Sequence, residues 1–406
     1  MSGARVNEAR GHADWPVITA ALLAGVASAV QIGKASAALP LLRAEFGVGV
    51  AQASWYLSLF SLGAALFGSV LGILTLKTGP MWAGGAGLVL VALGSLAGPF
   101  AETWDLLLAA RLVEALGLPL VVAAMPAIIQ ARSSGPCRVL AMGLWSTWLP
   151  LGVALAMALS SVVLAAGGWR ALFWLCGALP LLALSALAVL VARRRNPAAV
   201  PVPAPVIRMP DAATLMHGGL FGLFSASYLT VQGFLPSVAV EALSMSIAEG
   251  TQLAGLAALL VIPGNLIAST LLSRGVSARL LLAAGFLAMG LSGAAFLADL
   301  LPPVARIVAG CVFTACAGVP PGVIWGLIPQ IAARSGAGPA MTSGVIYQCA
   351  GVGQLLGPVL AGAAVQATGT WSGGALVILA ASGLALWGLS LRAGRLEDRG
   401  ITASRG

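Results

Sequence analysis

Charge is what this sequence has least of. Asp, Glu, Lys and Arg make up 8% of its 406 residues, against about 25% in soluble domains. Lysine occurs twice, at Lys34 and Lys77. A soluble chain of this length has no means of covering its surface with so few ions, so that class is excluded. Histidine is equally scarce, His12 and His217 alone, and neither has metal-ligand company. The clustered acids, histidines or metal ligands that a membrane enzyme needs are missing. The five cysteines (137, 176, 311, 316 and 349) are odd in number and lie in or beside apolar runs. They read as small apolar residues, not as a disulfide or metal framework. No cofactor, no metal and no enzymatic activity are therefore expected.

What the chain does have is hydrophobic length. It is 59% hydrophobic with a mean hydropathy of +1.00. Runs without a single ion recur at 15–33, 52–76, 81–101, 139–169, 171–192, 212–240, 251–273, 280–298, 307–333 and 335–391. Most approach the roughly 20 residues a helix needs to cross a bilayer. The last run is far longer and divides at "ATGTWSGG" (367–374). With the Arg-bearing segment 106–130, the pattern predicts an all-α membrane protein of twelve transmembrane helices. The expected division is a tail 1–14, six helices in 15–192, a linker 193–213, six helices in 214–392 and a tail 393–406. The first span is too long for the core of a cleaved signal peptide.

Net charge +9 would point to nucleic acid in a soluble protein; here topology accounts for it. With the N-terminus inside, sixteen basic residues fall in inner loops and tails, and only Arg43, Arg170 and Arg306 fall in outer loops. By the positive-inside rule both termini are cytoplasmic, as expected for a multi-pass protein of a bacterial inner membrane. The linker, "RRRNPAAVPVPAPVIRMPD", is proline-rich and leaves no room for the folded domain a sensor would need. Two basic residues, Lys34 and Arg111, and one acid, Glu114, remain within spans.

The chain also repeats itself. "PAIIQARSSGPCRVLAMG" (126–143) and "PQIAARSGAGPAMTSG" (329–344) share Pro, Arg-Ser, Gly-Pro, Met and Gly in order. "GGW" (167–169) and "GTW" (369–371) are offset by 202, as are Arg132 and Arg334; "LPLLRAE" and "LPSVAVE" are offset by 196. Six-plus-six parallel repeats about an axis normal to the membrane place a solute site between the halves.

On these residues the sequence resembles the major facilitator superfamily over essentially its whole length. "GILTLKTGPMW" keeps Gly72, Lys77 and Gly79 of the family's gating loop between helices 2 and 3, but puts Thr75 at or beside its Asp. "RLVEALG" (111–117) matches the family's intramembrane Arg followed six residues on by Gly. Helix 5, "GLWSTWLPLGVAL", lacks the Gly-Pro-rich signature of many drug/proton antiporters. "MPAIIQAR…VLAMGLWS" and "GLFSASYLTVQGFLP" resemble the cyanate/nitroimidazole transporter branch, which implies a small polar or anionic solute.

Helix rise places Lys34 roughly 12 Å inside the membrane, level with Glu114. Arg111 lies at i, i+3 from Glu114 and shares its face. The resemblance sets helices 1, 4, 7 and 10 around a central cavity, so Lys34 would oppose Arg111 and Glu114 there. Arg111 would hold Glu114 bidentately, Glu114 would couple to protons, and Lys34 with Gln31 and Arg111 would meet the solute; alternatively Lys34 and Glu114 pair while the cavity is empty, and solute or a proton breaks that pair. The plainer alternative is a fixed intrahelical Arg111–Glu114 pair with Lys34 snorkelling outward. The second half offers polar and aromatic groups instead: Tyr228 and Gln232 on helix 7, Trp325 on helix 10, Tyr347 and Gln348 on helix 11. Pro320-Pro321-Gly322 should interrupt helix 10, as a hinge or a static kink. The expected function is secondary transport of a small polar or anionic organic solute by alternating access with proton coupling. Proton-driven efflux of a drug or a secreted metabolite such as a siderophore is the alternative. The expected partners are the solute and the bilayer, with no nucleic acid, and the protein is expected to be a monomer.

Overall fold

In hydrocarbon every backbone N–H and C=O must be satisfied internally, and an α-helix does this within one segment. The computed structural model follows that constraint. It describes residues 12–193, 210–335 and 338–403, with side chains at 69, 71–74, 76, 77, 139, 335, 338–340 and 392–403 outside the description. Most of the linker (194–209) and the ends of both tails (1–11 and 404–406) also lie outside it.

Six helices form the first half: α1 (Trp15–Phe46), α2 (Val50–Ser58, a 3-10 turn Leu59–Ser61, then Leu62–Thr78), α3 (Pro80–Ala97), α4 (Trp104–Ala131), and α5 and α6. α5 begins as Gly135–Trp145 and continues into the 45-residue helix Trp148–Ala192. At 1.5 Å per residue, such a helix is about twice as long as a bilayer core is thick. It turns at Gly168, whose φ of 66° is open to glycine at little steric cost. Beyond that turn it is α6. The second half comprises α7 (Ala212–Leu243), α8 (Ile247–Ser273), α9 (Ala278–Leu297), α10 (Pro303–Cys316 and Val319–Ser335), α11 (Gly338–Thr368) and α12 (Ser372–Ala403). Among the described residues eleven helices are long and apolar enough to span a membrane. Counting both limbs of the folded-back helix gives twelve.

The halves pack by the same contact. A Cβ on Gly63 of α2 would lie 2.3 Å from the carbonyl oxygen of Ala115 on α4. A Cβ on Gly264 of α8 would lie 1.9 Å from the carbonyl oxygen of Ala315 on α10. Small residues let the backbones meet, which is how helices associate where lipid removes the hydrophobic driving force. Across the seam, Ser36 on α1 donates to the Gln232 and Gly233 carbonyls of α7 at 3.1 and 2.6 Å. At the face opposite the linker, Arg43 pairs with Glu241 and the Ala51 N–H reaches Gln366. At the linker face, His12–Asp14 is stitched to Arg132–Ser134 by backbone bonds of 2.8 and 2.9 Å and by an Asp14–Arg132 ion pair of 3.3 Å.

One expectation changes. The loop between α2 and α3 is a single residue: Gly79, at φ 89°, turns the chain directly into Pro80, the first residue of α3. Gly72 and Lys77 are therefore helical residues of α2, not loop residues, and their side chains lie outside the described set. α12 runs helical to Ala403, and its stretch apolar enough to span a membrane is Ser372–Leu391. The proline break falls where expected. Pro320 and Pro321 leave the Cys316 and Ala317 carbonyls without their usual i+4 donors, and α10 is interrupted at Ala317 and Gly318.

If the α2–α4 and α8–α10 contacts set the spacing, Gly63→Val and Gly264→Val should each lower Tm in detergent, by the equivalent of about 1–3 kcal/mol or more. Gly219→Ala, whose Cβ meets nothing within 4 Å, is the control and should leave Tm in place.

Candidate functional site

Four helices converge on one carboxylate. Lys34, on α1, places Nζ 2.6 Å from Glu114 Oε1 and 2.5 Å from Ser95 Oγ on α3. Ser95 donates onward to the Phe173 carbonyl of α6 at 3.1 Å, and Lys34 Nζ lies 4.4 Å from the Phe173 ring centroid. Arg111, one turn before Glu114 on α4, bonds the other carboxylate oxygen, Oε2. Lys34, Arg111 and Glu114 are 0%, 1% and 3% exposed. Two cations and one anion leave a formal charge of +1 in a buried setting, where charges interact far more strongly than in water.

Arg111 is held by more than its carboxylate. Its Nε donates to the Tyr56 carbonyl at 3.1 Å and its Nη1 to the Gln31 carbonyl at 2.9 Å. Tyr56 lies just before the 3-10 turn of α2, where the regular i→i−4 ladder gives way. The guanidinium sits 5.0 and 5.3 Å from the rings of Tyr56 and Phe60. Nη2 has no partner among the described residues. Gln31 spans α1 and α6, donating to the Ala27 and Cys176 carbonyls at 3.1 and 2.8 Å, and its Oε1 is likewise unpartnered.

The three charged residues thus meet, with Lys34 and Glu114 paired as in the second of the expected arrangements. Arg111 does not grip Glu114 bidentately, because Lys34 takes one oxygen. Lys34 does not snorkel; it is fully buried. Nor does the cluster open onto the seam between halves. It is enclosed by α1, α2, α3, α4 and α6, and Gln31 is turned into the same bundle. Phe60 is the layer between them: its ring lies against Arg111 on one side and packs with Leu118 and Leu229 of the seam on the other. Ser95, Tyr56, Phe60 and Phe173 were not singled out by sequence. A serine or an aromatic in an apolar run carries no signal of which neighbour it will meet.

The second-half candidates are spread over α7, α10 and α11. Tyr228 and Gln232 are buried on α7, with Gln232 Nε2 donating to the Ala254 carbonyl of α8 at 2.9 Å. Trp325 is 40% exposed on the linker side of α10. Tyr347 is partly buried, and Gln348 reaches across to the Ala65 carbonyl of α2 at 3.1 Å. At the level of Arg111 the second half has Phe313, fully buried. Among the described residues no disulfide joins any of the five cysteines, and no group of three possible metal ligands occurs.

Comparison with known proteins places this geometry. The family model described as Major Facilitator Superfamily matches residues 20–348. Arabinose-proton symporters of Escherichia coli strains K12 and O157:H7 are each 29% identical over 156 residues, 38% of this chain and 33% of the symporter. The match thus takes in about a third of those relatives' length. A crystal structure of a bacterial homolog of the human lysosomal transporter Spinster, inward-facing and occupied, superposes with a TM-score of 0.69 at 16% identity. It covers 93% of this chain and 95% of that one, and shows the fold.

Charge arithmetic makes the three substitutions unequal. Glu114→Gln leaves two buried cations without an anion and should cost about 3–5 kcal/mol, read as a drop in Tm. Lys34→Met leaves the neutral Arg111–Glu114 couple and should cost about 1–2 kcal/mol. The double variant should fall between them. Equal shifts for both single variants would contradict the shared-carboxylate geometry.

Proposed function

The chain belongs to the Major Facilitator Superfamily, and we propose that it carries a small polar or anionic organic solute across a cell membrane by alternating access, together with a proton. The observation behind this reading is Glu114 held between two buried cations. While Glu114 is ionised, the cluster carries one net positive charge. A proton on Glu114 dissolves both ion pairs and leaves two buried cations, a state that an anionic solute stabilises. Proton and anion therefore favour each other's binding, and that coupling is reciprocal. The similarity to proton symporters agrees with this logic.

Access follows from what separates the cluster from the seam. Phe60, in the irregular turn of α2, is the side chain whose movement brings Arg111 Nη2 to the seam. The face opposite the linker is held shut by Arg43–Glu241, partly exposed at 20% and 36%. Such pairs are worth about 0–1 kcal/mol, so the closure is readily reversed. Sixteen basic residues against three on the two sides support a cytoplasmic linker face. With that orientation, the structure is closed to the outside.

The test is flux in proteoliposomes, with solutes first found by thermal stabilisation of the purified protein. An acid exterior should drive accumulation, and Glu114→Gln should abolish that response while retaining solute exchange at equal pH, since Gln imitates the protonated state. Normal gradient-driven uptake by Glu114→Gln would overturn the coupling. Accumulation only in everted vesicles would replace import by the efflux alternative.

A further inference from the structure

One face of α7 carries polar atoms with nothing to bond. Ser225 Oγ, Tyr228 Oη and Gln232 Oε1 are buried and without partners among the described residues. At i, i+3 and i+7 they share a face. Some hydroxyls buried in other spans bond back to their own helix, Ser28 to the Ala24 carbonyl at 2.9 Å, Ser160 to Ala156 at 2.6 Å and Thr314 to Gly310 at 2.8 Å, whereas Ser58 and Ser382 are single unpartnered hydroxyls on their helices. Ser225 has no such bond. Gln232 has already committed its Nε2 to α8, so only an acceptor remains. Unpaired buried polar groups are unfavourable, and a ligand that bonds them removes that cost.

Beside this row runs a ladder of rings. Trp325 meets Phe221 at 5.6 Å and 80°, Phe221 meets Phe224 at 5.2 Å, and Phe224 stacks on Tyr228 at 5.8 Å and 21°. It leads from the exposed Trp325 to the buried Tyr228. The adjoining seam is apolar, formed by Phe60, Leu118 and Leu229 with Ile32, Val122 and Trp148 packed against them.

We infer that the solute is a hydroxylated aromatic carboxylate. This rests on the transport reading above and names its substrate class. The ring lies along the Phe224–Tyr228 tier. The Ser225 and Tyr228 hydroxyls donate to the carboxylate, and Gln232 Oε1 accepts from a hydroxyl at the other end. A sugar suits the site less well: several of its hydroxyls would face Phe60, Leu118, Leu229 and Ile32 with no partner, each such loss unfavourable.

Isothermal titration of the purified full-length protein, with no proton gradient, tests this with 4-hydroxybenzoate, benzoate, cyclohexanecarboxylate and arabinose. We expect 4-hydroxybenzoate to bind at least tenfold more tightly than benzoate, and benzoate more tightly than the saturated acid. Tyr228→Phe should weaken both aromatic acids at least tenfold. Gln232→Leu should erase the preference for the hydroxylated ring, with Tm confirming that each variant is folded. Binding of arabinose but not of the aromatic acids, equal binding of the saturated and aromatic rings, or a hydroxyl preference surviving Gln232→Leu would overturn the assignment. Proton-driven flux of some other solute with no aromatic binding would sink this inference alone. Aromatic binding without proton-driven flux would leave it standing and remove the coupling.

Discussion

A single carboxylate with its two oxygens assigned to two different cations organises the first half of this protein. Glu114 cannot be considered apart from Lys34 and Arg111, because each of the three would be strongly unfavourable alone in a buried setting. Their neighbours belong to the same arrangement. Ser95 occupies another proton of the ammonium, the carbonyls of Tyr56 and Gln31 fill two sites of the guanidinium, and the rings of Phe173, Tyr56 and Phe60 take up positions against the cationic groups. Five helices are thereby indexed to one point. Their relative depth and rotation follow from it as much as from side-chain packing.

The second half has inherited the packing but not the charge. Gly264 meets Ala315 as Gly63 meets Ala115, so the backbones approach alike. Yet Phe313 fills the place of Arg111, and a proline pair interrupts α10 where α4 is continuous. Shape is maintained by small residues at the crossings; chemistry is free to differ on the faces between them. This division suits a carrier whose halves act as one mechanical pair while recognising different parts of a solute.

Much of this was legible in the sequence, for physical reasons. Long ion-free runs have one stable solution in lipid, and the offset motifs exposed the repeat. Lys34, Arg111 and Glu114 stood out because ionisable groups within spans are costly and few. Helix rise alone placed Lys34 and Glu114 at one depth. What it could not give was rotation. Whether Lys34 faces the seam or the bundle turns on about 100° of helix phase, and polar residues flank it on both faces, Gln31 toward α6 and Ser36 toward α7. The same ambiguity hid Ser95 and Phe60. Gly72 and Lys77 were assigned to a loop by their resemblance to a motif, whereas Gly79 makes the whole turn by itself.

The isolated bridge between Ala13 and Ser133 has a mechanical consequence. By clasping Arg132–Ser134 it ties the entry of α1 to the corner between α4 and α5, stiffening the half that already shares a charge cluster. Asp211, which precedes α7 as Asp14 precedes α1, instead caps its own helix through Thr214. Strain applied across the two halves will collect in α10 beside Pro320 and Pro321, where the Cys316 and Ala317 carbonyls lack their i+4 donors.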